Sequence, residues 1–292
     1  MYRGRRKGTA MSLQPLDNDA LRTIAAQKAQ FDRDGFLILR NALAPELVCR
    51  LVSAADRLSS QGVERDGLSE RRHWQKRSCL PDDPAFLELV DHPKVLPVVA
   101  AILGWDIHLV TSHMIVRPPT PGADAHFKGE GWHRDGGQSS WEMTEPHPRI
   151  LLKVAYFLSD QSSPGRGNTQ VVPGSNRLTG PPACEPGAPH PYGAIEVLGS
   201  PGDAFLFEQR TYHAVGPNHS DLTRKTLFMG YGFRWVYPMD YHPMRDYVAL
   251  YDKATPIQRQ LIGETKTVTG VYLPTDADVP LRAQHKAWFG EP

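Results

Sequence analysis

His133 and Asp135 stand two residues apart in Gly131-Trp132-His133-Arg134-Asp135-Gly136-Gly137. In an extended strand, side chains at i and i+2 point to the same side, so this imidazole and carboxylate can hold one metal ion from one face. The flanking glycines leave room for ligands to approach. His213 follows 78 residues after Asp135, behind the strand-like Asp203-Ala204-Phe205-Leu206-Phe207. A β core that folds this interval back delivers a third ligand to the same ion. Two histidines and one carboxylate leave three adjacent coordination positions open, which suits oxygen-activating non-haem Fe(II). A structural zinc site would be closed and four-coordinate. Arg224, eleven residues beyond His213, can grip a carboxylate through two parallel hydrogen bonds. Singly, each feature is equally well a polar loop or a surface arginine; it is their combination that points to chemistry.

Elements must bring these residues together. Asp34-Gly35-Phe36-Leu37-Ile38-Leu39 reads as a turn feeding a strand. Pro45 opens a helical pattern in which Leu47, Leu51, Ala54, Ala55 and Leu58 recur at three- and four-residue spacing. A second helix is expected from about Pro93 to Leu103, ended by Gly104. Short apolar or β-rich runs follow: Ile107 to Val116, Ile150 to Leu158, Thr169 to Val172, Ala194 to Leu198, Ala204 to Phe207 and Thr226 to Trp235. Pro, Gly, Asn and Asp clusters separate them, and the 26 prolines and 25 glycines fit a β-barrel or sandwich better than a bundle. We expect a single domain over 12–292, with a helical N-terminal flank, a β core at about 105–240, and a C-terminal extension whose clearest helix is Pro256 to Ile262.

Composition sets outer bounds. The 292 residues carry 33 Lys+Arg against 32 Asp+Glu, a formal charge of +1, with 40% hydrophobic residues. That is too apolar for intrinsic disorder and too balanced for a dedicated nucleic-acid binder. No run approaches the roughly 18 apolar residues of a membrane span. Cys49, Cys79 and Cys184 are scattered without C-x-x-C spacing, which argues against a disulfide framework and suits a reducing cytoplasm. Residues 1–11 hold Arg3, Arg5, Arg6 and Lys7 without an acid, and lack the apolar stretch of a secretory signal. They are expected to be a disordered basic tail, or a start assigned ten residues early, with Met11 the true one.

Together the motifs resemble the Fe(II)/2-oxoglutarate oxygenases and, more narrowly, the phytanoyl-CoA dioxygenase family, over most of the chain from Asp34 to Trp235. Asp34-Gly35-Phe36-Leu37-Ile38-Leu39-Arg40 followed by a Pro-Glu helix is similar to that family's opening. Val171-Val172-Pro173-Gly174-Ser175-Asn176-Arg177 is similar to its V-x-P-G-S-H-x turn. The resemblance implies a mainly β protein with flanking helices, built on a double-stranded β-helix, a cupin-like jelly-roll barrel. His133, Asp135 and His213 would be the iron ligands, and Arg224 would bind the distal carboxylate of 2-oxoglutarate. Lys76, His113 and Tyr156 would surround that cosubstrate, with O2 as the second. The implied reaction hydroxylates an unactivated C–H bond of a small molecule and releases succinate and CO2.

Three departures carry expectations. Val215 stands where many members have a small hydroxyl residue, so a hydrogen bond to the cosubstrate would be missing or come from Thr211 or Tyr212. Asn176 replaces a common histidine, with an effect expected only on the turn. The stretch after Asp135 lacks the length expected of ectoine hydroxylases, which argues against ectoine. Asp135 itself is not the Gly or Ala of related halogenases, so hydroxylation is favoured.

Substrate contacts are expected from Arg134, Trp141, Arg210, Arg234 and Trp235, with the connections 138–148 and 179–192 as a lid. A polar metabolite or natural-product intermediate is favoured. An acyl-CoA ester is the alternative, its phosphates met by Arg71-Arg72 with Lys76-Arg77. From other classes, a cupin-like zinc hydrolase or isomerase, or a non-catalytic metal-binding barrel, could keep the same ligands. Neither nucleic acid nor membrane is an expected partner, and a monomer or homodimer is expected.

Overall fold

The computed structural model describes residues 13–67, 73–120, 131–135, 145–239, 244–266 and 273–290. The expectations for residues 1–11, Arg71, Arg72 and Trp141 lie outside them.

Helix α1 (Asn18–Asp34) starts where the Asp17 carboxylate accepts from Ala20 N at 2.8 Å, and stops at Gly35 in the left-handed conformation. Gly35 is required twice over: its φ is +79°, and a Cβ there would meet Thr211 Oγ1 at 2.3 Å. The chain then enters β1 (Phe36–Leu39) and α2 (Pro45–Arg65), whose buried stripe contains Leu47, Leu51, Ala54, Ala55 and Leu58, as the spacing predicts. A short strand β2 (Trp74–Arg77) and a one-turn helix α3 (Pro84–Leu87) lead to α4 (Leu96–Leu103). This last helix begins three residues later than its sequence pattern suggests, after hydrogen-bonded turns at His92 to Val95.

The β core comprises β3 (Ile107–Arg117), β4 (Leu151–Phe157), β5 (Thr169–Val171), β6 (Ile195–Glu196), β7 (Ala204–Glu208), β8 (His213–Val215) and β9 (Arg224–Phe233). Helices α5 (Met244–Tyr251), α6 (Pro256–Leu261) and α7 (Leu281–Phe289) follow. The fold is a jelly roll, but among the described residues it is not a closed barrel. A six-stranded antiparallel sheet, ordered β1-β7-β4-β9-β3-β2, faces a three-stranded one ordered β6-β5-β8. The reason is strand length: β5, β6 and β8 have two or three residues each, and their ladders reach only one another.

The large sheet is buried on both faces, so the phase of its strands decides everything nearby. Leu152, Val154 and Tyr156 of β4, with Leu227, Met229 and Tyr231 of β9, pack on the helix side in the larger core. Ala155, Phe157, Phe205, Phe207, Phe228 and Ile115 fill the space between the sheets with Val171 and Val197. That inner layer is where the candidate ligands lie.

Asn176 does more than shape its turn. It is buried and its amide donates to Glu208 Oε1 at 2.7 Å and Asp32 O at 3.2 Å. A histidine-sized change there reaches the buried Glu208, which also accepts from Arg149 and Arg210.

Candidate metal centre

Backbone pairing assembles the three ligands. His133 and His213 form an antiparallel bridge with N–H donated each way at 3.0 Å, and Asp135 N donates to Gln209 O at 3.0 Å. One ligating atom from each of His133, Asp135 and His213 can be chosen so that all lie within 4.8 Å of one another. Each ring is oriented by its other nitrogen: His133 Nδ1 lies 2.8 Å from Gly131 O and His213 Nδ1 lies 2.9 Å from Thr211 O. With Nδ1 as donor, Nε2 of both rings is left as a lone-pair ligand, the usual arrangement of metal-binding imidazoles.

Charge favours a cation here. Burial alone would raise the Asp135 carboxyl, but the Lys153 ammonium and His213 outweigh it and hold the group at about 2. His213 is pushed down to about 4, chiefly by burial. The centre therefore offers His213 as a neutral imidazole and Asp135 as a carboxylate, with the His133 ring beside them, a donor set that fits Fe(II) with three open positions. His133 is the exposed member, its side chain 47% accessible against 8% for His213, so access is from its side.

Arg224 opens β9 and is buried between the sheets. Its Nε donates to Gln161 Oε1 at 3.0 Å and Nη2 to Thr169 Oγ1 at 3.1 Å. Gln161 Nε2 and Thr226 Oγ1 are buried and have no hydrogen-bond partner among the described residues. A guanidinium with such neighbours fits a ligand carboxylate. Thr169, the register partner of Val215 on β5, places a hydroxyl beside Arg224 on the neighbouring strand. Of the alternatives, Thr211 donates to Gly35 O at 2.8 Å, and the Tyr212 ring lies under Arg134.

His113 faces the inner layer, with Nε2 3.0 Å from Gln75 Oε1, and burial with the nearby Arg77, Lys153 and His73 lowers it to about 3. Lys76 and Tyr156 are corrections. Lys76 pairs in register with Met114 on the helix side and its Nζ lies 3.2 Å from Asp82, so Gln75 and Arg77 are the β2 residues that flank His113. Tyr156 is fully buried under the helices and donates to Leu89 O at 3.3 Å. Its neighbours of opposite phase, Lys153, Ala155 and Phe157, face inward. Lys153, unanticipated from the sequence, places Nζ 2.9 Å from Asp135 Oδ2.

The expected substrate contacts are engaged elsewhere. Arg134 donates to Leu178 O at 2.8 Å and Gly180 O at 3.1 Å and stacks over Tyr212, pinning the start of the 179–192 connection. Trp132 donates to Pro189 O at 3.2 Å further along the same connection, which thus borders the centre. Arg210 is bound to Glu208 and His147 O, Arg234 lies 3.5 Å from Asp106, and Trp235 stacks on Phe233 while 60% exposed.

A jelly roll with this donor set between its sheets is the architecture of non-haem iron oxygenases, and comparison with known proteins agrees. Residues 31–226 match the family described as phytanoyl-CoA dioxygenase. Ectoine dioxygenase of Nocardia farcinica is 28% identical over 235 residues, covering 70% of this chain and 76% of the relative. The ectoine dioxygenase of Sphingopyxis alaskensis is 24% identical over 236 residues, 71% and 75% of the two chains. The crystal structure of the epimerase SnoN with Fe3+, alpha ketoglutarate and nogalamycin RO shares the fold, with a TM-score of 0.54 and 18% identity over 73% of this chain and 84% of that one. The chain belongs to the phytanoyl-CoA dioxygenase family. It is a 2-oxoglutarate-dependent non-haem iron dioxygenase, with Fe(II) as metal and 2-oxoglutarate and O2 as cosubstrates. No described helix is long and apolar enough to cross a membrane.

Proposed function

We propose that His133, Asp135 and His213 hold Fe(II), that Arg224 with Thr169 and Gln161 binds the distal carboxylate of 2-oxoglutarate, and that the enzyme hydroxylates an unactivated C–H bond of a polar metabolite or natural-product intermediate. The observation that carries the assignment is the clustering of the three ligands, His-x-Asp and a histidine 78 residues on, within 4.8 Å. Bound Fe(II) supplies the coupling of O2 reduction to oxidative decarboxylation of 2-oxoglutarate, with succinate, CO2 and a hydroxylated substrate as products. The protein's own groups do the positioning. Gly131 O and Thr211 O fix the imidazoles, Arg224 anchors the cosubstrate from the inner end, and Phe205, Phe207 and Phe228 keep water from the inner layer. Substrate enters beside the exposed His133, against the connection held by Arg134 and Trp132.

A catalytic domain over 12–292, acting in the cytoplasm as a monomer or homodimer, completes the proposal; that none of Cys49, Cys79 and Cys184 forms a disulfide supports that compartment. The relatives' names make ectoine a necessary member of any substrate panel. The test is succinate formation from 2-oxoglutarate with Fe(II) in air, against panels of ectoine, amino acids, glycosides and acyl-CoA esters, with His133→Ala as control. Stimulation by one panel of small polar compounds, absent in the control, supports the proposal. Stimulation by acyl-CoA alone overturns the substrate class, and equal inactivity of both proteins with every panel counts against the assignment.

A further inference from the structure

Lys153 is the sole charged residue in β4, Leu151–Phe157, a strand buried on both faces. Its cross-strand neighbours are Phe207 and Gly230, and the inner layer around it holds Ala155, Phe157, Phe205 and Phe228, with His113 and His213 also near. Gly230 packs against it without a side chain, its own close approach being to Thr111, whose Cγ2 a Cβ there would meet at 2.4 Å. An ammonium in such surroundings is costly unless paired. Its partner is Asp135 Oδ2, at 2.9 Å; Asp135 Oδ1 lies 4.0 Å from His133 Nε2 and Oδ2 lies 3.9 Å from His213 Nε2, so both oxygens border the ring nitrogens.

We propose that Lys153 is a positioning residue of the metal centre, which holds the Asp135 carboxylate by its ion pair so that one oxygen rather than both is left to the metal. This rests on the assignment of Asp135 as an iron ligand. Two coordination modes are open to a carboxylate, through one oxygen or both. A bidentate aspartate with two histidines would leave two positions, too few for a chelating keto acid and O2 together. With Oδ2 engaged by Lys153, three remain. The ammonium also keeps a positive charge beside the place where dianionic 2-oxoglutarate must bind.

Lys153→Met preserves the length and the apolar stem while removing the charge and the donors. Wild type and variant are loaded anaerobically with Fe(II), the bound metal is counted, and 2-oxoglutarate is titrated against the visible charge-transfer band of the ternary complex. The proposal expects Lys153→Met to retain one Fe(II) per chain but to bind 2-oxoglutarate roughly 10- to 100-fold more weakly, with the band shifted. Thermal melting of the metal-free proteins shows whether the variant folds; if it does not, Lys153→Arg, which keeps the charge and donors, should fold and hold 2-oxoglutarate within about threefold of wild type. A folded Lys153→Met with unchanged 2-oxoglutarate affinity and band overturns the proposal. So does tighter Fe(II) binding at unchanged 2-oxoglutarate affinity, which would make Lys153 a competitor of the metal. Failure of wild type itself to bind Fe(II) would refute the ligand assignment beneath it, a result distinct from either.

Discussion

Tyr156→Phe separates the two faces of β4. The hydroxyl is buried and donates to Leu89 O at 3.3 Å, a carbonyl that also accepts from Tyr231 at 3.3 Å. Deleting it removes one neutral hydrogen bond, a net contribution of about 1 kcal/mol. Leu89 O is then left to share the single Tyr231 proton, whose nearer acceptor is Val90 O at 2.9 Å, and the loss should be about 1 kcal/mol. For a chain of this size that is a fall in Tm of about 1 to 3 °C. The affinity for 2-oxoglutarate should stay within about twofold of wild type, since the ring lies on the far side of the sheet from Arg224 and Asp135. Differential scanning fluorimetry and anaerobic 2-oxoglutarate titration check both numbers. A tenfold or greater loss of cosubstrate affinity at unchanged Tm would refute the strand phase on which the site is built.

Arg224→Met removes two or more charge-assisted hydrogen bonds to the cosubstrate carboxylate and should raise its Kd at least about 100-fold, measured in the same titration. Arg210→Met should cost stability, about 1 to 3 kcal/mol in urea, because it strips donors from the fully buried Glu208, while Fe(II) binding persists. Stability should also fall with acid. His92 and His113 are lowered to about 4 and about 3, mainly by burial, so between pH 6.5 and those values the unfolded chain takes up protons that the folded chain refuses. At pH 5 this amounts to about 2 kcal/mol for each histidine, and urea denaturation from pH 7 to 5 should show it. His92→Gln should flatten its share of that slope.

Much of this site is legible before folding, and what is not has two causes, strand phase and long-range packing. His133, Asp135, His213 and Arg224 are unusual in type and spacing, and the structure brings the first three together with Arg224 buried between the same sheets. Lys76 and Tyr156 were one residue out of phase. Tyr156 lies in Leu151–Phe157, which is apolar on both faces and carries no alternation to fix its phase, and Lys76 lies in the four-residue Trp74–Arg77, too short to show one. The one cue was Lys153 itself, a charge in the middle of an apolar run. Arg134 and Arg210 mislead differently. Their partners, the carbonyls of Leu178 and Gly180 and the carboxylate of Glu208, are set by loop paths and long-range packing that no local pattern encodes. Thr169, whose hydroxyl stands beside Val215 and Arg224, could be found only from the register of β5 against β8.

The measurement that bears most directly on the centre is Fe(II) bound per chain under anaerobic equilibrium dialysis, for wild type and for His133→Ala, Asp135→Ala and His213→Ala. We predict one Fe(II) per wild-type chain and a loss of tight binding in each variant that still folds. Wild-type stoichiometry retained in all three variants would place the metal elsewhere and contradict the account.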